Sequence, residues 1–386
     1  MAPLVKDSSE RIPALDGLRG LAMLAVVGCH LVWPDPTLHF DRIDRVLVNG
    51  WVGVDLFFVL SGFLITGILI DSRDRSGYLR TFYTRRALRI FPIYYLLLVV
   101  LFIWIPFGEW WFAHGLSGEY QSLAANQRWY WTYAVNVMQA RQPRAEWFWT
   151  GHLWSLSVEE QFYLVWPAVV LLVSRRRLAL ACVAAIVGAF ALRVWWVLTQ
   201  PEALGAYVLT PMRMDSLAAG ALVATLARSE RGSQWLRRTY RWIGASALAV
   251  LLPLHALHGA DLQNVWMTTA GYAMNALGAA TLIVWLIADP RPRAWLEWRP
   301  LRAAGRVSYG AYLYHLPLIG LMVPLRDRLQ AFASGGTISS VAAHGAWIAT
   351  ILVLTLLVAS ASFRWIERPF LELKTRRAGV MATRVL

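Results

Sequence analysis

The sequence predicts an all-α fold: a polytopic membrane helix bundle of about ten transmembrane helices with both termini cytoplasmic. Three observations predict it. Of the 386 residues, 58% are hydrophobic and only 16% are charged, which excludes a soluble domain of ordinary composition. Apolar runs of roughly 20 residues, the length that crosses a bilayer, recur from one end of the chain to the other. The basic residues between these runs alternate, 26 in one set of connecting segments and 7 in the other. Only Arg19, Arg193, Arg213 and Arg364 fall within or at the ends of runs. Cytoplasmic loops carry the excess of Lys and Arg, so the richer set, which includes both chain ends, is assigned to the cytoplasm. Two cytoplasmic ends require an even number of crossings, and ten satisfies that. The same topology accounts for the net charge of +14 with the lipid bilayer, and no nucleic acid, as partner.

The runs fall at about 14–33, 51–70, 88–107, 152–173, 178–199, 211–228, 242–257, 265–288, 305–325 and 341–363. The first contains Asp16 and Arg19 and lacks a small-residue cleavage site, so it is expected to stay in the mature protein rather than act as a signal peptide. Within it Arg19 and His30 are eleven residues apart, about 20° beyond three full turns, so they share a face about 16 Å apart in depth. Ionisable groups in hydrocarbon face a bundle interior or a polar cavity. The pair reads as a functional site or as hydrogen bonds that fix packing. The second run places Asp55 near its outer end.

Arg85, Arg86 and Arg89 head the third run. Arg85 and Arg89 are four apart and face one way, which suits a grip on phosphates; plain positive-inside anchoring is the alternative. A long external segment, about 108–151, carries Trp110, Trp111, Trp129, Trp131, Trp147 and Trp149. It is read as lying on the membrane or dipping into it, anchored by these rings, or as a platform that stacks a sugar or macrocycle. The fourth run holds His152, Trp154, Glu159 and Glu160. His152 and Glu159 are seven apart and share a face about 10 Å apart in depth. Arg213 and Asp215 open the sixth run, and His315 falls mid-depth in the ninth. Carboxylates and imidazoles at matched depths read as a polar cavity lined by one group from each helix.

Such a cavity offers His as a general base with acids to orient it. The sequence has no HExxH, no Cys/His ligand spacing and no Gly-x-Ser-x-Gly elbow, so no metal is expected. Cys29 and Cys182 both lie in apolar runs and give no disulfide framework. Arg outnumbers Lys 35 to 2, which points to a GC-rich bacterial genome. The chain divides into one transmembrane domain at 1–370 and a basic cytoplasmic tail at 371–386. A proton-coupled transporter or flippase is the rival use of the same cavity; it calls for repeat symmetry, which the sequence does not show.

In combination these motifs resemble the acyltransferase-3 family of integral-membrane O-acyltransferases. The matching stretches run in the family's order: Arg19-x10-His30; Gly50 to Ile65, with Asp55-Leu56-Phe57-Phe58-Val59-Leu60-Ser61-Gly62; Arg85-Arg86-Ala87-Leu88-Arg89-Ile90-Phe91-Pro92; His152 to Tyr163; Arg213-Met214-Asp215; Ser308 to His315; and Glu367-Arg368-Pro369. They cover about residues 11–370. The resemblance implies an acyl-CoA donor and transfer of a short acyl group to a hydroxyl, often on a sugar, in a bacterial inner (cytoplasmic) membrane. Family members modify bacterial surface glycans and, in some actinobacteria, macrolides. Some carry a fused C-terminal hydrolase-like domain for glycan work. This sequence stops soon after the last run, an expectation in favour of a small-molecule or lipid-linked acceptor.

On this reading Arg85, Arg86 and Arg89 take the CoA phosphates and Arg19 grips the donor. His30 is the general base, oriented by Glu159 or Asp55. His152, Trp154, Arg213, Asp215 and His315 line the substrate site. Direct transfer is preferred to an acyl-enzyme, because no Ser or Cys is paired with a base; Cys29 adjoins His30 but points about 100° away on the helix.

Overall fold

The computed structural model describes residues 2–7, 12–32, 46–104, 117–142, 149–200, 204–258, 261, 264–289, 293–336 and 338–373. Among these it is helical, with ten principal helices at the positions of the ten runs: α1 (Pro13–Val32), α2 (Val52–Ser72), α3 (Tyr78–Val99), α4 (Leu153–Leu172), α5 (Arg175–Thr199), α6 (Thr210–Leu226), α7 (Glu230–His258), α8 (Tyr272–Ala288), α9 (Ser308–Leu321) and α10 (Ser340–Ser362). From Lys374 on, the basic tail lies outside the described residues.

Seven of these helices, α8 counted with the turn Met267–Gly271 that leads into it, are long and apolar enough to cross a membrane, among the described residues. The three that are not are α4, α6 and α9. Helix α6 has 17 residues and α9 has 14, about 26 Å and 21 Å of helix against a hydrocarbon core of about 30 Å. Helix α4 has 20 residues but carries Ser155, Ser157, Glu159, Glu160 and Gln161 among its apolar ones. The exceptions are thus helices that bear half of the predicted site. Polar side chains and short spans are tolerated where neighbouring helices, rather than lipid, surround them.

Two runs begin earlier than the apolar pattern indicates. Helix α3 starts at Tyr78 and α7 at Glu230, so the arginines assigned to loops are helical. Arg is a good helix former, and its long stem lets a helix continue past the edge of the hydrocarbon. Between α2 and α3 the chain turns at Gly77, whose φ of 70° is open to glycine at little cost. The ninth run, expected as one span at 305–325, is split. A short helix, Arg299–Arg306, precedes α9, and a further one, Val323–Ser334, follows with Pro324 in its first turn.

Small residues set the packing. A side chain at Gly62 would strike the backbone carbonyl of Leu217, and one at Gly220 that of Val59. Helices α2 and α6 therefore meet backbone to backbone, as small residues allow in membranes. Helix α1 is held in the same way by Gly20 against Leu301 and by Gly305 of the Arg299–Arg306 helix against Asp16. These contacts fix the rotation of α1 and hence where Arg19 and His30 point. At the helix ends, Arg228 makes a two-pronged bond with Asp71 at 2.7 and 2.8 Å. Arg73 donates to the carbonyls of Leu171 and Val173 at the end of α4.

Of the Trp-rich segment expected to be external, Trp110, Trp111 and Trp147 lie outside the described residues. The described part packs on α3 and α4. Tyr133 stacks on Tyr94 with ring centroids 4.1 Å apart, and Trp131 stacks on Tyr95 at 5.9 Å. Gln161 donates to the Tyr133 carbonyl at 2.9 Å.

Candidate active site

Three helices, α1, α4 and α9, each contribute both to a cleft and to an imidazole cluster beside it. The pairs are Arg19 and His30 on α1, Glu159 and His152 at the head of α4, and Ser308 and His315 on α9. Their spacings of eleven, seven and seven residues return to nearly the same helical face. A single azimuthal setting of each helix thus supplies both regions.

The cleft is open at its mouth and has a volume of about 200 Å³. Its polar lining is Arg19, Ser61, Arg86, Arg89, Ser155, Glu159, Glu160, Tyr163, Ser308, Tyr309 and Tyr312; Phe57, Phe58, Leu64 and Ile68 are among its apolar walls. Glu159 has Ser61 within hydrogen-bonding reach and lies in the field of Arg19, Arg86 and Arg89. Ser61 is also hydrogen-bonded to the Tyr163 hydroxyl. Arg86 lies over the rings of Phe82 and Tyr163, with its guanidinium carbon 5.8 and 5.6 Å from their centroids, so the side chain is held inward. Arg85 is exposed and does not line the cleft. The inward pair on α3 is therefore Arg86 and Arg89, three apart, in place of the expected Arg85 and Arg89.

His30, His152 and His315 meet behind the cleft's inner wall. The rings of His315 and His30 have centroids 4.9 Å apart, and those of His315 and His152 4.7 Å apart. The wall between cleft and cluster is built from Phe57, Ser155 and Tyr312. Tyr312 bonds the Ser155 hydroxyl at 2.5 Å and donates to the His152 carbonyl at 3.1 Å. Its ring lies 6.0 Å from Phe57 on one side and 5.3 and 5.6 Å from His152 and His315 on the other.

The hydrogen bonds of the cluster fix its tautomers, because carbonyl oxygens only accept. His315 Nδ1 lies 2.6 Å from the Tyr312 carbonyl and so carries a proton. In the neutral ring its Nε2 is then an acceptor, and it sits 3.2 Å from His30 Nδ1. His30 Nδ1 also lies 2.9 Å from the Val26 carbonyl, so it too is protonated. That leaves the lone pair of His30 on Nε2. His152 Nε2 donates to the Leu313 carbonyl at 3.1 Å. His152 and His315 are buried at 2% and 0% exposure, whereas His30 is only half-buried. Of the three, His30 is the least enclosed, and its unprotonated nitrogen is Nε2. Among the described residues no group of three or more His, Cys, Asp or Glu side chains is arranged to hold a metal ion.

The orienting partner of His30 is thus His315, together with the Val26 carbonyl. Neither Glu159 nor Asp55, the expected partners, is among its contacts. Asp55 is fully buried in a separate network. It pairs with Arg213, accepts from the Ser216 hydroxyl at 2.9 Å, and has the Asn275 amide at 3.5 Å. Arg213 lies over the rings of Tyr272 (4.7 Å), Tyr207 (5.4 Å) and Phe58 (5.7 Å). Asp215 pairs with Arg193 at 2.6 Å. These four charges bind α2, α5 and α6 together, and none of them lines the cleft, so Asp55, Arg213 and Asp215 are not placed to touch a substrate there. Trp154, also expected at the substrate, is 6% exposed and packs on Tyr207 and Phe58. Sequence reasoning passed over the roles of Ser155, Tyr163, Ser308 and Tyr312. The signal for the last two was present: Ser308, Tyr312 and His315 stand at i, i+4 and i+7, one helical face.

The chain is 29% identical to a protein described as a putative peptidoglycan O-acetyltransferase, YrhL, of Bacillus subtilis, covering 93% of this chain and 54% of the relative. It is 30% identical to the peptidoglycan O-acetyltransferase OatA of Listeria monocytogenes, with coverages of 96% and 57%. It is 29% identical to the O-acetyltransferase OatA of Staphylococcus aureus, with coverages of 94% and 57%. The chain spans a little over half the length of these relatives. No solved structure matches it. The family model described as an acyltransferase domain, Acyl_transf_3, matches residues 12–365, and the chain belongs to that acyltransferase family.

Proposed function

We propose that the protein is a membrane O-acyltransferase that moves an acetyl or other short acyl group from acyl-CoA, bound from the cytoplasm, to a hydroxyl of a sugar-containing acceptor. The acceptor class is a bacterial glycan, as the relatives' names suggest, or a glycosylated small molecule such as a macrolide. The observation that carries the reading is the His30 imidazole, locked by Val26 and His315 with Nε2 as its free basic nitrogen, next to a cleft that holds three arginines.

In this scheme the donor phosphates rest at Arg86 and Arg89 near the mouth, Arg19 steadies the arm, and the thioester reaches the Tyr312–Ser155 wall. Transfer requires that hydrogen bond to open as the acyl carbon approaches the imidazoles. His30 Nε2 takes the proton of the acceptor hydroxyl while the oxygen attacks the thioester carbonyl. The C–S bond breaks, and the departing thiolate takes the proton from the imidazolium, leaving an ester and free CoA thiol. His315 orients His30 and shares its positive charge during the step.

The test is acceptor-dependent thiol release from acetyl-CoA by purified protein, with a panel of sugar and macrolide acceptors. His30→Ala is expected to abolish release while the protein stays folded. His315→Gln is expected to lower kcat by about tenfold to a hundredfold, no more than the low end of what positioned acid–base catalysis contributes, since the base itself remains, with little change in donor KM. Full activity in His30→Ala refutes the assignment. Binding of CoA without release for any acceptor redirects the search to transport.

A further inference from the structure

We infer that Ser308 and the first turn of α9 form a carbonyl-binding subsite for the donor's arm, taking the amide carbonyl farther from the sulfur. This rests on the acyl-CoA reading above. Ser308 lines the cleft, is 1% exposed, and its hydroxyl has no hydrogen-bond partner. A buried hydroxyl without a partner is costly, and it is retained most readily where a ligand completes the bond.

The helix end adds to this. The first N–H groups of a helix have no acceptor within it. They carry the positive end of its dipole, and α9 enters at Val307 with no side-chain cap. Tyr309 donates to the Ile90 carbonyl at 3.1 Å, which pins this turn against α3 beside Arg86 and Arg89. The Ser308 hydroxyl and the N–H groups of this turn can each donate, and together they suit an oxygen acceptor.

Length decides which oxygen. Ser308 and His315 are seven residues apart on one face of α9, about 10.5 Å along the axis. In a pantetheine thioester the second amide carbonyl lies about 10 Å from the sulfur when the arm is extended, taking backbone-type bond lengths. The nearer amide falls about 5 Å from the sulfur on the same basis, level with Tyr312, and the pyrophosphate falls well beyond Ser308. A thioester placed at the imidazole cluster thus sets its second amide at Ser308.

The experiment compares wild type with Ser308→Ala for three donors: acetyl-CoA, acetyl-pantetheine, and S-acetyl-N-acetylcysteamine, which has only the nearer amide. Ser308→Ala is expected to lower kcat/KM about threefold to tenfold for the first two, through KM, in line with one hydrogen bond. It is expected to leave the third unchanged. Without donor, the variant should melt at the wild-type temperature or higher, because it sheds an unpaired buried hydroxyl. An equal loss with all three donors, or no loss, overturns the proposal. A loss confined to acetyl-CoA moves the contact to a phosphate and overturns it as well, and a lower melting temperature makes Ser308 structural. Failure of the enzyme reading shows separately, as wild type that releases no thiol from any donor. CoA binding by calorimetry then decides, and an unchanged Kd in Ser308→Ala overturns the subsite.

Discussion

Asp55 is where a catalytic and a structural role make opposite predictions. Its carboxylate is fully buried, pairs with Arg213, and takes further hydrogen bonds from Ser216 and Asn275. Asp55→Asn removes the counter-charge and leaves Arg213 buried at 0% exposure. The nearby Asp215 is already engaged by Arg193. Breaking one side of a buried ion pair costs about 3–5 kcal/mol, while replacing both partners with apolar groups of similar size is often neutral. At roughly 2 °C per kcal/mol for a chain at least this large, the single variant should melt roughly 6–10 °C lower in detergent. The double variant Asp55→Leu with Arg213→Met should recover most of that loss, and with the single variants Asp55→Leu and Arg213→Met it closes a double-mutant cycle that reads a coupling of up to about 3 kcal/mol. The folded fraction of Asp55→Asn, assayed below its melting transition, should keep most of its thiol release. Wild-type stability with lost turnover would refute this reasoning and return Asp55 to the chemistry.

Two further outcomes follow from the geometry. Arg89→Ala should raise the donor KM about tenfold, whereas Arg85→Ala, on the exposed side of α3, should leave it within about twofold, because exposed charges contribute little; steady-state kinetics with acetyl-CoA check both, and the reverse order counts against the cleft as donor site. Gly220→Leu should cost about 3 kcal/mol or more of stability, the upper end for overpacking, since the group it meets is the Val59 backbone rather than a side chain that yields; its yield and melting temperature in detergent provide the measure.

What the sequence made legible was depth along each helix. The spacings Arg19 to His30 and His152 to Glu159 are fixed by the 3.6-residue repeat, and each pair does divide between cleft and imidazole cluster. The apolar pattern also fell on helices, seven of which, among the described residues, are long and apolar enough to cross a membrane. It misjudged the starts of α3 and α7, because apolar content marks the hydrocarbon and not the helix.

What was not legible was which faces meet. His315 reaches His30 across 285 residues of chain, and Arg213 reaches Asp55 across 158; no periodicity within one helix encodes either meeting. The Arg85–Arg89 expectation failed for this reason. Spacing shows that Arg85 and Arg89, or Arg86 and Arg89, share a side of α3, but the rings of Phe82 and Tyr163 under Arg86 decide which side faces inward. Likewise, an acid was expected to orient the histidine because carboxylates are common in that role. Here the carboxylate nearest in the sequence pattern, Asp55, is consumed by a buried arginine, and a second imidazole takes its place. The azimuth of each helix rests on close approaches such as Gly62 to Leu217, Gly220 to Val59 and Gly20 to Leu301. A methyl group added at any of them would rotate or displace a helix. At Gly20 the cleft and the cluster would then be lost together, since α1 carries Arg19 of the one and His30 of the other.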